Sequence, residues 1–129
     1  MLYQRSLTIP ANTPESSPVS ATLKLTVGTI TRMEVEFPAG CVYQVGARVR
    51  DKGWQVMPWT RDEWLNSENY VVFCDAPYPL ASAPYVLTLI GYNEDTVNDH
   101  TLQLRVTLRE GEIEEFLMLE QFLDTLRGD

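Results

Sequence analysis

Apolar and polar residues alternate through most of this chain. In Thr22–Gly28 (TLKLTVG), Leu23, Leu25 and Val27 alternate with Thr22, Lys24 and Thr26. In Thr31–Phe37 (TRMEVEF), Met33, Val35 and Phe37 alternate with Arg32, Glu34 and Glu36. A period of two places each set on one face of a strand. Tyr43–Arg50 predicts Val45, Ala47 and Val49 inward, with Arg48 and Arg50 outward. His100–Leu108 sets Leu102, Leu104, Val106 and Leu108 on one side. Tyr70–Cys74 (YVVFC) is β-branched and aromatic and predicts a buried strand. Tyr85–Tyr92 (YVLTLIGY) is apolar on both faces and predicts a central strand. SLTIP ends a short extended stretch, and Trp54–Pro58 predicts at best a short strand stopped by Pro58.

Turn chemistry separates these runs. Ala11–Pro18 (ANTPESSP) and Asp75–Pro84 (DAPYPLASAP) predict long loops, Phe37–Gly40 a corner, and Asn93–Asp99 a polar turn. About eight short strands with turns at this spacing predict an all-β fold, an antiparallel β-sandwich that is jelly-roll-like or another Greek key. The two long loops then cross between its sheets. Val35, Phe37, Val49, Val72, Leu87, Leu89, Leu104 and Val106 form its expected core. No helical pattern separates the strands, which excludes βαβ units. Residues 1–109 read as one sandwich domain.

The pattern changes at Gly111. Glu112–Arg127 (EIEEFLMLEQFLDTLR) is the only helical run, with acids in its first turn and Arg127 in its last, as the helix dipole favours. Residues 110–129 therefore predict an acidic amphipathic C-terminal α-helix. Leu117, Met118, Leu119, Phe122 and Leu126 widen its apolar surface beyond one stripe, so it needs more than one neighbour. It packs across the sandwich's own sheet, docks into another chain or stays disordered, and for docking Phe116, Leu119, Leu123 and Leu126 supply a line of anchors.

Charge and composition narrow the chemistry. From Glu110 onward seven acids face one base, and the whole chain carries −8. Nucleic acid, which is bound by clustered Lys and Arg, is a poor partner, and so is an acidic membrane. No apolar run is long enough to span a bilayer. Arg5 and Thr8 interrupt any signal-peptide core, which predicts a start in a cytoplasm. Cys41 and Cys74 share no metal or redox spacing, and free buried thiols are expected. One histidine, His100, cannot hold a metal alone, and beside Asp99 it reads as a surface or hydrogen-bonded strand residue. Glu34 and Glu36 stand about 7 Å apart on one strand face, a separation suited to an inverting glycosidase. Cross-strand ion pairs with Arg48 and Arg50 are the plainer expectation. Glu94, Asp95, Asn98 and Asp99 crowd one turn and form a weak Ca²⁺ candidate that lacks EF-hand spacing. With no Walker loop, GxGxxG or nucleophile motif, the reading is a non-enzyme without cofactors.

Gly53–Trp64 (GWQVMPWTRDEW) holds all three tryptophans at intervals of five, which fits neither a strand nor a helix face. Trp54 is expected in the core. Trp59 and Trp64 either cap the open end of the sandwich, anchor a protein interface, or stack sugar rings.

The run SLTIPANTPESSPVSATLKLTVGTITRMEVEFPAGCVYQVGARVR, a Trp/Pro segment, and then PYVLTLIGYNEDTVNDHTLQLRVTL resembles small all-β virion proteins of tailed bacteriophages, of the capsid decoration and head-fibre type. The resemblance spans Leu2–Leu108 and rests on an early strand, a PANT-like loop, an FPAG corner and a YN-acid turn. It implies a structural subunit, assembled in a host cytoplasm and carried on the virion as a homo-oligomer. Its partners would be other virion proteins, the major capsid protein or a head-associated protein. The expected binding residues are Trp59 and Trp64 of the aromatic segment and Phe116, Leu119, Leu123 and Leu126 of the helix, which the resemblance does not cover. A carbohydrate-binding module using exposed tryptophans is the alternative, and a cytoplasmic adaptor the third.

Overall fold

The computed structural model describes residues 1–110, and the expected C-terminal helix with Phe116, Leu119, Leu123 and Leu126 lies outside them. The described chain forms β1 (Leu2–Ile9), β2 (Val19–Lys24), β3 (Gly28–Phe37), β4 (Val45–Asp51), β5 (Trp54–Met57), β6 (Leu65–Asn66), β7 (Tyr70–Cys74), β8 (Tyr78–Leu80), β9 (Val86–Asn93) and β10 (His100–Arg109). All pairings are antiparallel. One sheet runs β1-β10-β3-β7, with β8 also on β3; the other runs β2-β9-β4-β5, with β6 also on β4. The described residues are thus all-β, with two five-stranded sheets.

The count exceeds the expected eight because both outer strands on one side are broken. β5 pairs with Val49–Asp51 and β6 with Gly46–Ala47, so together they flank one strand, β4. Residues 58–64, which hold Trp59 and Trp64, bulge out between the two halves. β7 pairs with Met33–Phe37 and β8 with Gly28–Ile30, so they likewise share β3. Pro58 and Pro77 stand in the two breaks, where a residue without an N–H cannot continue a ladder.

The inward faces match the alternation. Leu102, Leu104, Val106 and Leu108 from β10 meet Leu87 and Leu89 from β9, with Val35, Phe37, Val45, Ala47 and Val49 between them, all essentially excluded from solvent. β9 lies between β2 and β4, as a strand apolar on both faces should. A register shift at Thr107/Leu108 leaves Thr31 unpaired with β10, and this bulge turns both Ile30 and Met33 inward. Ala11–Pro18 carries the chain from one sheet to the other. Asn93 fixes that crossing: its backbone exchanges two hydrogen bonds with Thr13 (2.9 and 3.0 Å), and its buried amide donates to the Ile9 and Asn98 carbonyls.

Four expectations are corrected. β7 is an edge strand and not a buried one, so Val72 is only half-buried and Phe73 is exposed. Asp75–Pro84 is not all loop, because Tyr78–Leu80 pairs with β3 and buries Leu80. Arg48 is buried, covered by Trp64. Glu34 and Glu36 do not face Arg48 and Arg50, which belong to the other sheet. They pair with Arg32 and Arg105 at 2.7–3.7 Å, because β10, not β4, is the neighbour of β3.

Candidate docking surface

Where both edge strands break, the two sheets part. An apolar groove of about 470 Å³ opens there, lined by Met33, Val56, Met57, Leu65, Val72 and Tyr78, with Pro58, Cys74 and Pro77 beside them. Few polar atoms are free to orient a ligand inside it. The Tyr78 hydroxyl donates to Asp51 Oδ2 at 2.7 Å. Burial, reinforced by that bond, pushes its phenol up to about 12, so it stays neutral.

Trp59 lies at the mouth, 66% exposed. The loop that carries it is held from below. The Gln55 amide nitrogen, buried under the loop, donates to the carbonyls of Pro58 and Thr60 at 2.8 Å and of Glu63 at 3.2 Å. Trp54, expected in the core, is instead 51% exposed. It sits at the start of β5, directly after the Lys52–Gly53 turn, opposite Asp51 at the end of the β4–β5 ladder. Its ring meets Trp59 edge-on, with centroids 6.5 Å apart and planes at 68°. The Arg61 guanidinium stands 5.1 Å from the Trp54 ring centre. Two exposed tryptophans and an arginine thus adjoin the groove.

Trp64 has a different setting. Its ring stacks edge-on against Tyr92 at 4.8 Å, carries the Arg48 guanidinium 3.6 Å above it, and donates from Nε1 to Glu15 at 2.8 Å. Tyr92 itself lies flat across Gly46, where an added Cβ would fall 2.0 Å from the ring. The pile covers the outer face of the second sheet, and Trp64 is half-buried within it.

The other candidate residues are engaged locally. Asp95 accepts from the Val97 and Asn98 amides at 2.9 and 3.2 Å and from His100 Nε2 at 2.9 Å. These bonds, the Val97 amide first, hold its carboxyl well below the usual range. The Asp99 carboxylate accepts from the Ala11 amide at 2.9 Å, and the Asn98 side chain turns to Asp95. The turn's oxygens thus close the turn on itself, and among the described residues no group of three or more His, Cys, Asp or Glu is placed to hold a metal ion. Both cysteines are free. Burial first, then Glu68 and Asp95, push the Cys41 thiol up to about 11, which leaves it protonated and unreactive. Cys74, in contrast, is partly exposed on the groove wall.

Sequence reasoning singled out Trp59 but missed Gln55, Arg61, Cys74 and the groove itself. The signal available was the pair of prolines, Pro58 and Pro77, each interrupting a strand-like run. Comparison with family models, with curated proteins and with solved structures gives no match.

Proposed function

We propose that this protein is a non-enzymatic virion structural subunit, a capsid decoration or head-associated protein that binds other virion proteins and its own copies. The observation that carries this reading is the exposed Trp54–Trp59 pair with Arg61 beside an apolar groove. Trp and Arg are the side chains that most often anchor protein interfaces, and exposed apolar surface of this kind marks an interaction site.

The strand order adds support. We read β1-β10-β3-β7/β8 against β2-β9-β4-β5/β6 as a jelly roll with its two outer strands interrupted. Jelly rolls recur in viral capsids, though also in lectins and cupins, so this support is analogy of fold. The carbohydrate reading fares less well. A sugar platform presents parallel faces, whereas the two exposed rings stand 68° apart and Trp64 is covered.

The test is a Trp54→Ala/Trp59→Ala double variant. It is expected to keep the parent's β spectrum and unfolding midpoint while losing its oligomeric mass and its co-sedimentation with particles. Unchanged mass and co-sedimentation would overturn the tryptophan pair as the docking surface.

A further inference from the structure

We infer that Arg48 and Arg50, on the outer face of the second sheet, form a binding site for a monoanionic carboxylate. The site includes neither Trp54 nor Trp59 and does not depend on the function proposed for them.

The site starts from the pleat of β4. Arg48 and Arg50 are two residues apart, so both side chains leave the same face of the strand, with Cα atoms about 7 Å apart. Arg48 stands opposite Ile90 of β9. The crossing segment contributes Glu15 and Pro18, and Trp64 comes in from the end of the loop between β5 and β6. These residues line a recess of about 300 Å³, which is room for a small ligand.

Both guanidiniums lack a counter-ion. Arg48 is only 8% exposed, yet among the described residues no carboxylate comes within ion-pair distance of it, and Arg50 forms no ion pair either. The Arg48 charge rests on the Trp64 ring, 3.6 Å away, and on the Asp62 carbonyl, which accepts from Nη2 at 3.4 Å. Its Nε is sealed from solvent without a hydrogen-bond partner, and Nη1 is the one nitrogen neither bonded nor sealed. Burial first, and then Arg50, lower the pKa of this guanidinium from its ordinary value. A buried charge is costly until it is paired, and Arg50 adds a like charge on the same face. An anion between the two side chains offsets both. Arg50 is free to offer its whole fork, which a planar carboxylate matches with two parallel hydrogen bonds.

The charges of the walls set the class of anion. Against the two arginines stands Glu15, whose carboxylate accepts from Trp64 Nε1 at 2.8 Å. The recess is left with a single positive charge, which a monoanion neutralises. A dianion such as sulfate leaves negative charge in excess beside Glu15. Asp62 and Glu63 act on Arg48 from beyond ion-pair distance and weigh against a dianion in the same way.

Trp64 reports on the site, because its indole N–H is hydrogen-bonded to Glu15 in the wall. Heteronuclear NMR of the isotopically labelled full-length protein follows it at neutral pH. Sodium acetate exchanged for sodium chloride at constant ionic strength is expected to move the Trp64 indole resonance saturably, while that of Trp59 stays. Arg50→Gln should lose this shift with its β spectrum unchanged. Glu15→Gln keeps an acceptor for Trp64 but removes the competing charge, and should tighten acetate binding by about threefold. Should Arg50→Gln fail to fold, Glu15→Gln and the comparison of anions on the parent carry the test. A Trp64 resonance that does not move, or a shift that a folded Arg50→Gln retains, overturns the site. Sulfate binding more tightly than acetate overturns the assignment to a monoanion.

Discussion

Asp95 shows how one side chain organises a turn. Its carboxylate takes two backbone amides and His100, while Asn93 ties the same turn to Ile9 and Thr13 across the sandwich end. Because these bonds favour the charged form, the folded-state pKa of Asp95 lies below its unfolded value of about 3.9. Its contribution to stability is then fully present above that unfolded value and is lost as the pH falls toward the folded one. Glu68, held by the Gly40 and Val42 amides, shifts in the same direction and adds to the same acid limb. Asp95→Asn should lower the urea midpoint at neutral pH. The gap to the parent should narrow steadily as the pH falls below about 4. A gap that is constant across that range would mean that the charge on Asp95 is not what the turn uses.

At the scale of elements, the two interrupted strands are what opens the apolar groove beside Trp59. Gln55 is the clamp on one interruption, with three carbonyls converging on its amide nitrogen. Gln55→Leu leaves those carbonyls without their donor, at a cost of about 1–3 kcal/mol. Gln55→Glu sets a carboxylate against them and should cost more than the leucine does. Urea unfolding monitored by tryptophan fluorescence ranks the two, and the reverse order would show that the loop does not rest on this donor. The same elements explain what the sequence could reveal. Period-two runs that face one core on one side, such as Met33–Phe37 and Leu102–Leu108, were legible because burial alone sets their pattern. β7 was legible as a strand but not as an edge, since an edge strand is β-branched and aromatic like a buried one and composition does not say which neighbours flank it, and β8 was hidden in a proline-rich run. Arg48 and Trp54 changed places for a related reason. A guanidinium is buried when a ring covers it, as Trp64 does here, and a tryptophan at the start of an edge strand faces water when nothing crosses over it. The partners of Glu34 and Glu36 followed from strand order, which alternation does not encode.

For the whole molecule, charge and apolar surface pull in opposite directions. The chain carries −8, most of it after Arg109, so copies repel one another at low ionic strength. The exposed surface proposed for assembly is aromatic and apolar, and its one charged member, Arg61, already lies against Trp54. Salt screens like-charge repulsion over a Debye length of about 10 Å at 0.1 M and about 3 Å at 1 M, and it leaves burial of apolar area largely untouched. Self-association through Trp54 and Trp59 should therefore strengthen as sodium chloride rises from about 0.05 to 0.5 M. Sedimentation equilibrium across that range measures it directly. An interface held instead by Arg50 and Arg61 against the acids of a neighbouring copy would weaken over the same range, since screening removes that attraction. The sign of the salt dependence thus separates an aromatic contact from an ionic one, without any variant that might disturb the fold.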